Sequence, residues 1–203
     1  MVKTTVIIFI SSLLIGISTG FVFLSYEIGP PDTYSHHYEV WLNSNSTSPF
    51  TILCPIPLDY YGDGYPNFLQ ELEVTKGNAT LAIEEINAIN SSVDGMYLSI
   101  TGTGEIEVDW EAFWASKLGS RYWKISGIET IQPSEPSPYE NYGIWVNSSI
   151  ALESFHFYFG TESVDRELFT LGGGTGYSYE VDSTQLSTGF RLIPIEYGAW
   201  IGN

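Results

Sequence analysis

Tyr38-Glu39-Val40-Trp41-Leu42-Asn43 is the stretch that decides the fold. Tyr38, Val40 and Leu42 fall on one side of an extended chain, and Glu39, Trp41 and Asn43 fall on the other. Successive strand side chains point to opposite faces, so this spacing predicts a half-buried β-strand. The pattern recurs downstream. Residues 50–57, 68–75, 96–101, 105–109, 121–128, 142–146, 150–159, 167–171, 177–181 and 190–197 read as strands divided by Gly, Pro, Asn and Ser, and 79–86 fits helix or strand, with strand favoured by the turn signals that bound it tightly. Asp94-Gly95 is a strong hairpin signal. Pro55 and Pro57 place the second strand at an edge or end it early. About ten short strands at such spacing predict a mainly β protein, a single antiparallel β-sandwich with one short helix.

That helix is expected over 109–119. Asp109 is a suitable N-cap, Gly119 a suitable stop, and Lys117 suits the last turn. Trp110, Phe113, Trp114 and Leu118 would form one apolar stripe. The stretch 132–138 (QPSEPSP) breaks the pattern. The remainder is too small to stand alone without a disulfide or metal, so one domain with a long crossing loop is expected.

Upstream of the strands the chain changes character. Residues 4–26 carry no charge. At about 1.5 Å per residue they reach roughly 34 Å, enough to span a hydrocarbon layer of about 30 Å. Lys3 lies before this segment and the acidic residues lie after it, which predicts an extracytoplasmic remainder. The segment 1–26 reads as a signal anchor. Cleavage after Gly20 as a signal peptide is the alternative, but the apolar run continues through Leu24. Ser12, Gly16 and Gly20 form a small-residue row of the kind that packs membrane helices. Residues 27–35, with Pro30-Pro31, read as a stalk, and 36–203 as the folded domain.

All 24 acidic residues, and every basic residue but Lys3, lie beyond Tyr26. Such a surface argues against nucleic acid and anionic lipid as partners. The single cysteine, Cys54, forms no internal disulfide and is expected in the core. Asn45, Asn78, Asn90 and Asn147 each open an N-x-Ser/Thr sequon at an expected turn, which marks them as glycosylation candidates in an exported chain.

Asp59-Tyr-Tyr-Gly-Asp63-Gly64-Tyr-Pro-Asn67 places Asp59, Asp63, Gly64 and Asn67 at positions 1, 5, 6 and 9 of a calcium loop. It resembles a degenerate form of the Asp-rich calcium loops of thrombospondin type-3 repeats and dockerins. The resemblance covers nine residues and implies calcium at Asp59, Asp63 and Asn67, with no certain cofactor otherwise. Tyr61 stands at position 3, where the pattern wants Asp or Asn, and Gln70 at position 12, where it wants a bidentate Glu, although Glu71 is adjacent. Plain turn chemistry gives the same residues.

Glu105, Glu107 and Asp109 would line one wet strand face, opposite Ile106 and Val108. His36 and His37 are adjacent on a strand and so point to opposite faces, which argues against a shared metal. Gly172–Gly176 precedes a strand pattern, not the helix a phosphate cradle needs. Neither a G-x-S-x-G elbow nor H-E-x-x-H occurs.

The expectation is a membrane-anchored, non-catalytic surface domain that meets envelope proteins, glycans or copies of itself. An exported carbohydrate or small-ligand binder with an aromatic cleft is the alternative, followed by a hydrolase with a carboxylate pair or a filament subunit. The six tryptophans are expected mainly in the core.

Overall fold

The computed structural model describes residues 32–58, 67–87, 93–116, 124–131, 141–164 and 174–201. The apolar segment, Asp59, Asp63, Asn90 and the strand expected over 167–171 lie outside them. Among the described residues no helix is long and apolar enough to cross a membrane.

Thirteen strands and one helix form here. In chain order they are β1 (Asp32–Asn43), β2 (Phe50–Pro55), β3 (Pro57–Leu58), α1 (Phe68–Glu71), β4 (Glu73–Lys76), β5 (Ala79–Ile86), β6 (Gly95–Gly102), β7 (Ile106–Ser116), β8 (Lys124–Ile125), β9 (Ile128–Ile131), β10 (Asn141–Ser148), β11 (Leu152–Val164), β12 (Gly174–Leu186) and β13 (Gly189–Ile201). β1 opens at Asp32, so its first residues overlap the stretch read as a stalk.

In place of the expected sandwich, eleven of the described strands form one continuous sheet, and β3 pairs separately with β8. Its order is β4-β7-β1-β11-β12-β13-β10-β2-β6-β5, with β9 on β10. β13 is the joint. Its first half pairs with β10, Gly189 opposite Ser148, and its second half pairs with β12, Tyr197 opposite Tyr179. A strand that serves two neighbours in succession turns two layers into a nearly closed barrel. The two ends of the path, β4 and β5, are joined by Gly77 and Asn78. This turn tolerates little. Gly77 has φ +79°, and a Cβ there would stand 2.2 Å from the Glu105 carbonyl oxygen.

The helix expected over 109–119 is replaced by β7, which ends at Ser116. Trp110 and Trp114 are four residues apart, and that spacing returns to the same side in both a helix and a strand. Tertiary pairing decides. β7 lies between β1 and β4, and Ile106, Val108, Trp110 and Ala112 are all buried. The strand expected over 68–75 begins instead with α1. Phe68 turns inward there and meets the rings of Tyr38 and Trp110 edge-on, at 5.2 Å from each. Glu71 on the same turn accepts a hydrogen bond from Trp110 Nε1 at 3.1 Å.

The core sits inside the barrel. Tyr38, Val40 and Leu42 from β1, Phe155, Phe157 and Phe159 from β11, and Ile144 and Val146 from β10 are buried. Ile52 and Cys54 face them from β2, and Leu98 and Ile100 from β6. Tyr38 Oη crosses the interior and donates to the Pro55 carbonyl at 2.8 Å. Burial pushes the pKa of both Tyr38 and Cys54 up, so both stay neutral.

Candidate functional site

The outer face of β7, β1, β11, β12 and β13 carries what the core excludes. Rows of side chains cross the strands. In one row His37 pairs with Gly160, Gly160 with Ser178, and Ser178 with Gly198. In the next Glu39 pairs with Tyr158, Tyr158 with Glu180, and Glu180 with Glu196. A row without bulk beside a row with bulk makes a trough. A groove of about 230 Å³ follows, walled by Ser35, His37, Tyr158, Glu162 and Ser178 around Gly160. Thr161 and Tyr177 complete its lining.

Gly160 is what opens the groove. A Cβ at that position would lie 2.3 Å from Tyr158 Oη and 2.8 Å from its Cζ. The Tyr158 ring therefore leans over bare backbone. It also stands 5.3 Å from the His37 ring, tilted by 54°. His37 is held from the other side, with Nε2 3.1 Å from Asp109 Oδ1 and 4.0 Å from Glu39 Oε2. Partial burial, then Glu180 and Glu162, raise the Tyr158 pKa, so the ring keeps its hydroxyl proton.

The acidic ladder predicted from Glu105 onward is present. Glu107, Asp109 and Glu111 lie on the outer side of β7, opposite Trp41, Glu39 and His37 of β1. Its near end is neutralised. Lys76 Nζ stands 2.9 Å from Glu105 Oε1, and Trp41 Nε1 donates to the same oxygen at 2.9 Å. These two donors lower the Glu105 pKa, and the same contact raises that of Lys76.

Tryptophan is divided between core and surface. Trp110 is in the core. Trp145 is only partly buried, and its Nε1 donates to Glu129 Oε2 at 2.7 Å. A second aromatic group lies on the inner face. Tyr177, Tyr179, Tyr197 and Tyr142 form a chain of ring contacts at 5.6, 5.3 and 5.7 Å. Burial pushes the Tyr179 pKa up to about 12, whereas Tyr197 is 48% exposed.

Of the calcium-loop residues only Asn67 is described. It is exposed, has φ 71°, and precedes α1 without a side-chain cap bond. Among the described residues no three His, Cys, Asp or Glu converge as metal ligands. His36 and His37 point apart as the alternation requires, one into the core and one into the groove wall. The groove itself was missed. One signal for it existed, since Gly160 directly follows the aromatic-rich run 155–159, and a glycine within a strand pattern marks a bulge or a close backbone approach.

Comparison with protein-family models, curated proteins and solved structures gives no match. The functional reading therefore rests on the groove and its surroundings.

Proposed function

We propose that this chain is a membrane-anchored extracytoplasmic β domain that works by binding, and that the groove at Gly160 takes a neutral, hydroxyl-rich ligand such as a glycan segment. The groove is the observation that carries the reading. An aromatic ring beside hydroxyls and carboxylates suits a sugar, whose C–H faces pack on a ring and whose hydroxyls need acceptors. Glu39, Asp109, Glu111, Glu162 and Glu180 around it disfavour anionic ligands. The anchored half of the proposal is supported by the uncharged run 4–26 and the acidic remainder.

Binding is favoured over catalysis because, among the described residues, His37 makes its polar contacts with Asp109 and Glu39 and none with a Ser or Thr hydroxyl. Ser178 is two strands away, roughly 9–10 Å at ordinary strand spacing. That exceeds the reach needed for a general base.

The test is a titration of the full chain in detergent micelles with neutral oligosaccharides, read by intrinsic fluorescence. Wild type should respond at millimolar ligand, and Gly160→Val should not. Equal responses from the two proteins, or none from either, would refute the groove.

A further inference from the structure

The described sequons converge on one end of the barrel. Five short connections cross there, at 44–49, 77–78, 103–105, 149–151 and 187–188. They are packed together. Ser44 N donates to the Gly104 carbonyl at 3.3 Å, and Ser149 N to the Thr51 carbonyl at 2.9 Å. A Cβ on Gly102 would lie 2.5 Å from the Asn78 carbonyl oxygen. The turns that carry Asn45 and Asn78 thus both abut the 102–105 turn.

The three sequons differ in how their backbone is held. Asn45 lies in a segment outside any strand and is exposed. Asn78 is exposed and enters β5, whose one sheet neighbour among the described residues is β6. Asn147 is half-buried inside β10, paired with Phe190 on one side and Leu53 on the other. A glycosyl transferase must seat the whole tripeptide, so a doubly paired strand is presented only if the sheet opens.

We propose that Asn45 and Asn78 carry a pair of N-linked glycans on this end of the barrel, and that folded Asn147 carries none. The inference rests on the extracytoplasmic reading above. The donor is a polyprenyl-phosphate-linked or pyrophosphate-linked oligosaccharide. Asn Nδ2 attacks its anomeric carbon, forming a C–N bond as the C–O bond to phosphate breaks. The lipid phosphate leaves, and one Nδ2 proton passes to a base of the transferase. Nδ2 keeps its other proton, so at Asn45 it can still donate to Glu153 Oε1, its partner in the unmodified fold. β1 begins at Asp32 at the opposite end, beside Ser116 and Val164. The glycans therefore cap the end farthest from where the chain leads to its apolar segment.

The experiment expresses the full chain in cells that N-glycosylate their envelope proteins. Glycopeptide mass spectrometry reads each asparagine, and external protease on intact cells reads topology. We expect modified Asn45 and Asn78 and bare Asn147. Thr47→Ala and Thr80→Ala should each remove one glycan mass while leaving the asparagines in place. A protease-accessible chain with both sites bare, or with Asn147 modified as fully as they are, overturns the inference alone. A chain shielded in the cytosol overturns the extracytoplasmic reading and this inference with it.

Discussion

His36 and His37 are neighbours in the chain and inhabit two different solvents. His36 is 2% exposed, lying parallel to Trp110 and Phe159 with centroids 6.3 and 6.4 Å away. Burial pushes its pKa down to about 4. His37 faces out, held by Asp109 beside the groove. The inner face of β1 is a place for packing and the outer face a place for polar contact. One residue of register separates a buried ring from a solvent-facing one.

The largest test of that separation is Trp110→Ala. It removes a buried ring that packs on Phe68 and donates to Glu71. We expect a loss of about 3–5 kcal/mol in chemical denaturation, with loss of folding the extreme case. A loss comparable to that of an outer-face substitution would break the distinction.

Acid comes next. The folded pKa of His36 lies below its ordinary value of 6.5, so the unfolded chain binds the proton more tightly. The stability contributed by neutral His36 is complete above about pH 6.5 and is lost as pH falls toward 4. The loss is on the order of 2–3 kcal/mol. His36→Phe, with a ring of similar outline, should lessen this acid sensitivity. Denaturation midpoints of the two proteins at pH 7 and pH 4.5 check it.

Gly160→Val should shift stability by less than about 1 kcal/mol, because a β-branched residue suits a strand while its Cβ displaces Tyr158 toward solvent. It should nevertheless abolish oligosaccharide binding. The smallest effect is expected of Tyr158→Phe. Stability should hold, and affinity should fall severalfold, as for one lost hydrogen bond of about 0.5–1.5 kcal/mol.

Much of the inner face was legible in the sequence. Tyr38, Val40 and Leu42 announced a strand by alternation, and they are buried. The opposed histidines followed from the same rule, and the buried Cys54 from its place in the apolar run 50–54. Residues 109–119 were misread because Trp110 and Trp114 satisfy both periods, and only pairing with β1 and β4 chooses between them. The turn of helix at Phe68 was hidden for a related reason, since its ring answers to Tyr38 and Trp110, both far away in sequence. Closure was not legible at all. It depends on β13 serving β10 and β12 in turn, and no local pattern encodes a change of partner. The groove shares that origin, because it needs His37, Gly160 and Ser178 side by side from three strands.

The most direct measurement is a two-dimensional NMR titration of the full chain in micelles with a neutral oligosaccharide. We expect shifts at His37, Tyr158, Gly160 and Ser178, with His36, Phe159 and Trp110 unmoved. Shifts centred on the inner-face tyrosines Tyr179 and Tyr197, or no shifts at tens of millimolar ligand, would contradict the assignment of binding to the outer face.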